Sequence, residues 1–172
     1  MGIIAKQSLR NIIILFGGVF IGALNIIFLY PLILSTEDFG LTRILVSISI
    51  IAANIGAFGT PSILIKFLPF YNSKTLSKSK LFGYIFRVGL IGMIVVFLLL
   101  ISLKSLILSF YNENASYFGE NYYLIFPLIF LIISNSIFSS YCKGLFKSVL
   151  QNFLNDIAIR LIHTVLLILF FY

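Results

Sequence analysis

The sequence predicts an all-α, polytopic membrane protein with about five spanning helices. Three observations predict it. First, 60% of the 172 residues are hydrophobic and only 10% are charged, whereas soluble domains carry about 25% charged residues. Second, the apolar residues come in long uncharged runs without the alternation of a membrane barrel. Third, the charges between the runs segregate by sign. A core of this size could not hide so much Ile, Leu and Phe from water, so lipid is the expected solvent. The chain reads as one transmembrane domain over 1–172.

The first run has no charge from Asn11 to Thr36 and predicts a span over 11–34. Lys6 and Arg10 precede it as in a signal peptide, but the run is too long for an ordinary signal h-region. It reads as a retained helix. The second span, 44–65, fills the 22 uncharged residues between Arg43 and Lys66. The third, 83–108, holds 16 uncharged residues between Arg87 and Lys104 and lets Lys104 snorkel to the interface. The fourth, 121–142, fills the 22 residues between Glu120 and Lys143. The fifth, 157–172, begins near Ile157 and is still apolar at Tyr172, which predicts an incomplete span and further helices beyond it.

Charge orients the helices. Ten basic residues (Lys6, Arg10, Lys66, Lys74, Lys78, Lys80, Arg87, Lys143, Lys147, Arg160) fall on the side of the N-terminus. The other side has Arg43 and Lys104, with four of the five acids: Glu37, Asp38, Glu113 and Glu120. Basic loops stay in the cytoplasm, so a cytoplasmic N-terminus in a cell membrane is expected. The same rule explains the net charge of +7. No basic stripe with interleaved stacking aromatics points to nucleic acid.

Small and polar residues mark the inward faces. Gly18, Gly22 and Asn25 share one face of the first helix, and Gly18-x-x-x-Gly22 is a close-packing spacing. Ser49, Ala53, Gly56 and Thr60 form a second seam. Ser136, Ser139, Ser140 and Lys143 form a third. Tight helix packing and a hydrated cavity both fit these faces. Lys143 to Arg160 is amphipathic, and reads either as an interfacial helix or as a bend between spans four and five. Asn72 to Lys80 reads as an exposed polar loop.

Enzymatic and metal chemistry find little support. His163 is the only histidine and Cys142 the only cysteine, so no metal cluster or internal disulfide is expected. His163 suits packing or a proton relay. Glu37 and Asp38 suit a helix cap. Asn114-Ala115-Ser116 matches a glycosylation sequon. No cofactor motif occurs. The basic residues at span boundaries are the candidate ligand groups. Arg43, Lys66 and Arg87 could hold a pyrophosphate or another anionic head group. Topological anchoring also explains Lys66 and Arg87, and an ion pair with Glu37 or Asp38 also explains Arg43.

The run Tyr30-Pro31-Leu32-Ile33-Leu34-Ser35-Thr36-Glu37-Asp38-Phe39-Gly40-Leu41 resembles the first loop of polysaccharide-type lipid flippases. These belong to the multidrug/oligosaccharidyl-lipid/polysaccharide exporter superfamily. The turn Glu37-Asp38-Phe39-Gly40 is similar to the short Asp/Glu-aromatic-Gly turn that opens the second helix in that family. Gly56-Ala57-Phe58-Gly59-Thr60-Pro61 and Ile65-Lys66-Phe67-Leu68-Pro69 are similar to its Gly-rich, Pro-containing exit from that helix. Lys143-Gly144-Leu145-Phe146-Lys147 through Ile159-Arg160-Leu161 is similar to its fourth connection. The resemblance covers nearly the whole chain.

The resemblance implies an inner-membrane flippase, not an enzyme. It would move undecaprenyl-pyrophosphate-linked oligosaccharide by alternating access for O-antigen, lipopolysaccharide, capsule or exopolysaccharide synthesis. It implies further C-terminal helices and polysaccharide-assembly proteins as partners, besides the lipid bilayer. Arg43 and Lys66 flank the best-matching helix and are the first candidates for the head group. The competing reading is a small membrane scaffold that oligomerises through the Gly18/Gly22 and Ser49/Gly56 seams. A small multidrug transporter is disfavoured because no acid falls within the predicted spans.

Overall fold

A computed structural model describes residues 3–71, 77–109, 115–145 and 148–171. The sequon residue Asn114, the loop residues 72–76 with Lys74, and Glu113, Lys147 and Tyr172 lie outside the described residues. All regular structure among the described residues is helical. Five helical stretches are long and apolar enough to cross a membrane: Gln7–Ile33, Thr36–Gly56, Lys78–Ser102, Tyr117–Gly144 and Ser148–Leu169. The protein is an all-α polytopic membrane protein. Its surface agrees, because Phe16 and Leu32 are 70% and 73% exposed, a cost lipid removes and water does not.

The elements, in order, are α1 (Ile3–Leu24), a π-turn (Asn25–Leu29), α2 (Tyr30–Ile33), α3 (Thr36–Gly56), α4 (Thr60–Phe67), α5 (Lys78–Ser102), α6 (Lys104–Ser109), α7 (Ala115–Asn121), α8 (Ile125–Gly144), α9 (Ser148–Asn152), a second π-turn (Phe153–Ala158) and α10 (Ile159–Phe171). Several boundaries differ from the sequence expectation. The third span runs over Lys78–Ser102 rather than 83–108, so Lys78 and Lys80 belong to a helix and not to the polar loop, and the fourth begins at Tyr117 rather than 121. The second helix is not continuous over 44–65: it starts at Thr36, stops at Gly56 and resumes at Thr60. The fifth helix starts at Ser148, nine residues before Ile157. Most of the amphipathic segment that suited the interface is therefore part of this apolar helix, and Asp156 and Arg160 lie inside it.

Two compact units divide the chain: Met1–Phe39 with Phe146–Tyr172, and Gly40–Leu145. In the first unit, helix one and helix five run parallel. Gly17 faces Ile157, Gly22 faces Arg160, and Asn25 meets Thr164, so both chains advance together. The first and fifth members of an alternating series of spans must do so.

The second unit packs α4, α5 and α8 tightly. Leu64, Leu68, Ile129 and Ile137 are fully buried. α5 and α8 are antiparallel, with Phe82 against Tyr141 at 4.8 Å and Phe97 against Phe126 at 4.9 Å between ring centroids. Gly89 on α5 admits Ile137, and Gly144 on α8 admits Leu68. Near the far end of this pair, the buried Tyr122 hydroxyl donates to the Leu100 carbonyl at 2.8 Å.

Candidate functional site

The polar groups of the first unit gather where helix one meets helix five. α1 gives way to a π-turn at Asn25, where the Tyr30 N–H bonds to the Asn25 carbonyl. Pro31 is the local cause. It has no N–H for the Ile27 carbonyl, and the wider turn relieves its clash. Asn25 is only 4% exposed. Its Nδ2 lies 3.5 Å from the Arg160 carbonyl, at the limit of hydrogen bonding. The Thr164 hydroxyl is 2.9 Å from Asn25 Oδ1 and 2.8 Å from the Arg160 carbonyl, with one proton to give.

Arg160 is the centre of this cluster. It stands 12 residues after Ser148 and nine before Leu169, well inside the helix. Its guanidinium donates to the Gly18 carbonyl. Gly18 is itself 11 residues into Gln7–Ile33. The geometry needs both glycines. A Cβ on Gly22 would occupy the place of Arg160 Nη1, and one on Gly18 would lie 2.5 Å from the Asp156 carbonyl oxygen. One turn further on, the Tyr30 hydroxyl meets His163 Nδ1 at 3.2 Å.

A charge at the middle of a spanning helix costs about 2.5–3.5 kcal/mol or more, and such residues mark ligand or ion paths. One carbonyl offsets part of that cost. Among the described residues no carboxylate pairs with Arg160, although Asp156 precedes it by four positions. The site can therefore supply an anion with charge-assisted hydrogen bonds in a low-dielectric setting.

The residues singled out in the sequence fall in several places. Gly18, Gly22 and Asn25 do line a helix interface, and their partner is helix five. Ser49 is fully buried and donates to the Leu45 carbonyl at 2.7 Å. Gly56 packs on Gly92, Val96 and Ile133. Ser35, not Glu37 or Asp38, caps α3: its Oγ accepts the Asp38 N–H at 3.1 Å and donates to Asp38 Oδ2 at 2.6 Å, so Asp38 holds the capping hydroxyl. Phe39 lies on Tyr30, with ring centroids 5.3 Å apart. A Cβ on Gly40 would meet open space. Pro61 sits in the first turn of α4, and Pro69 in a short 3-10 turn at Leu68–Phe70.

Arg43, Lys66 and Arg87 are all exposed. The structure does not bring Arg43 and Lys66 together. Ile48 on α3 lies by Leu103, and Leu64 on α4 lies by Gly144, so the two cations sit toward opposite ends of the second unit. Lys66 Nζ is 5.5 Å from the centroid of the Phe67 ring. Arg87 lies nine residues into α5.

Sequence reasoning counted Arg160 with the cytoplasmic-side charges at the start of the fifth span and gave no site role to it, to Thr164 or to Tyr30, which entered only as part of the loop motif. A signal existed. Asn152, Asp156, Arg160 and Thr164 recur every four residues, the stripe of one helix face. Comparison with protein-family models, curated proteins and solved structures gave no match.

Proposed function

We propose that the chain is the N-terminal part of a cell-membrane flippase that moves undecaprenyl-pyrophosphate-linked oligosaccharide for surface polysaccharide synthesis, with its N-terminus in the cytoplasm. The observation that carries this reading is Arg160, a cation within an apolar helix with no acidic partner among the described residues. A lipid-linked pyrophosphate is an anion that must pass that depth. The flippase-like motifs from Tyr30 to Leu41 and from Gly56 to Pro69 support the same assignment, and Arg43, Lys66 and Arg87 keep their proposed roles as further anion contacts.

The scaffold reading loses its main support. The Gly18/Gly22 seam is filled by Asp156 and Arg160, and Gly56 by Gly92, Val96 and Ile133, all of the same chain. Those faces are not available to a second copy. The small-transporter reading regains one point, because Asp156 does lie within a span.

The test is binding in lipid nanodiscs. The chain should retain a prenyl-pyrophosphate oligosaccharide in preference to an uncharged prenol of equal length. Arg160→Gln should weaken that binding about tenfold or more, since a hydrogen bond to a charged group is worth roughly 1.5–3 kcal/mol. Equal retention of the two lipids by the parent chain would overturn the proposal.

A further inference from the structure

The second spanning helix is broken partway along its length. α3 ends at Gly56 and α4 begins at Thr60. The Gly56 carbonyl lies over Gly92, which is 14 residues from the start of α5 and ten from its end, so the break sits at the middle of that neighbour. Pro61 is the cause. It has no N–H for the Ala57 carbonyl, and its ring would clash there. Thr60 takes that carbonyl instead, with its N–H at 2.9 Å and its hydroxyl at 2.6 Å.

The chain crosses the break through two left-handed residues, Phe58 at φ 47° and Gly59 at φ 69°. Glycine adopts this region freely, but phenylalanine does so at a cost. The neighbour is shaped to hold the turn. A Cβ on Gly92 would collide with the Gly56 carbonyl and approach the Phe58 ring within 2.8 Å. Such strain persists only where the surroundings enforce it, and it concentrates at moving parts.

The two sides of the break differ. Beyond it, α4 is locked: Leu64 and Leu68 are fully buried, and a Cβ on Gly144 would lie only 2.8 Å from the Leu68 side chain. Before it, α3 makes fewer close backbone approaches than α4 does, the one of Gly56 to Gly92 among them, and it packs through the buried side chains of Leu45, Ser49, Ala52 and Ala53. Beside that contact a cleft of about 260 Å³ opens between α3 and α5, lined by Ile48, Ile51 and Ile55 against Leu99, Leu100 and Leu103.

We infer that Ala57–Gly59 is a pivot, and that α3 closes this cleft by swinging toward α5 while α4, α5 and α8 stay fixed. Closing turns Phe58 and Gly59 out of the left-handed region and buries the cleft's hydrocarbon walls. Arg43 rides at the far end of the lever, 13 residues from Gly56, or about 20 Å along the helix. Motion of this kind belongs to the microsecond-to-millisecond range.

The experiment is electron–electron distance measurement between spin labels at Ser47→Cys and Ser102→Cys, in a Cys142→Ala background, with the whole chain in liposomes. Two distance populations are expected, open and closed. Phe58→Gly removes the cost of the open state and should raise the open-to-closed ratio about fivefold. Gly59→Ala adds to that cost and should lower the ratio. If Gly59→Ala does not fold, Phe58→Gly alone decides. A single distance distribution, identical in the parent and in Phe58→Gly, overturns the pivot.

Discussion

The Arg160 guanidinium donates to the Gly18 carbonyl through the space that Gly22 leaves open. The Gly18 oxygen already accepts from its own helix, so the arginine takes its second lone pair. That bond is one of five the guanidinium can make. It is enough to fix the side chain and too little to neutralise it. A structural clasp and a ligand group make different demands here, and Arg160→Met separates them. An unpaired charge inside a spanning helix carries a cost of about 2.5–3.5 kcal/mol, which an apolar side chain of similar length removes. The thermal midpoint of Arg160→Met in detergent should equal or exceed that of the parent, while binding of the pyrophosphate lipid is lost. A large fall in the midpoint with binding retained would make Arg160 a clasp.

The two glycines under the arginine should respond differently to alanine. At Gly22 the new methyl meets the far end of a flexible side chain, Arg160 Nη1. The guanidinium can move, so Gly22→Ala should cost less than about 1 kcal/mol. At Gly18 the methyl meets the Asp156 backbone at 2.5–2.9 Å. Backbone cannot step aside, and the helices must separate, at about 1–3 kcal/mol. Unfolding in mixed micelles should rank parent, then Gly22→Ala, then Gly18→Ala. The reverse order for the two variants would show that the helix-one/helix-five contact is looser than described.

Most of the helices were legible in the sequence, and the reason is the solvent. In lipid, length and absence of charge are sufficient signals. The small residues at Gly18, Gly22 and Gly56 also declared their inward faces. The start of helix five at Ser148 was not legible, because Asp156 looks like a loop charge until Gly18 supplies the notch that admits it, as Gly22 does for Arg160. Nothing local in Arg160 records that partner, which is 142 residues away. The break in helix two was half legible. Pro61 announces a fault, but the pairing of Thr60 with the Ala57 carbonyl and the accommodating Gly92 arise only in three dimensions.

Tyr122 offers a test of a single buried hydrogen bond. Its ring is fully buried and its hydroxyl donates to Leu100 at 2.8 Å. That carbonyl lies in the last turn of α5, which ends at Ser102, and both Leu100 and Tyr122 are buried. Tyr122→Phe keeps the ring packing against Phe118 and removes only the hydroxyl. The expected loss is about 1 kcal/mol, the usual net value of such a bond. A parent-like midpoint would mean that the end of α5 finds another donor.

Two glycines on α5 provide the sharpest contrast. Gly92 touches the Gly56 carbonyl and the Phe58 ring, and a Cβ there would overlap both. The carbonyl is backbone, and Phe58 is fixed by the left-handed turn. Gly92→Ala must therefore shift α3 away from α5 or undo the turn, at about 1–3 kcal/mol. Gly83, nine residues earlier on the same helix, would place its Cβ in open space. There alanine only restores helix propensity, worth up to about 1 kcal/mol in its favour. Unfolding of the two variants side by side should give opposite signs. If both are neutral, Gly92 is not what holds the broken helix against α5, and the close approach of Gly56 to that helix must be supported from elsewhere in the second unit.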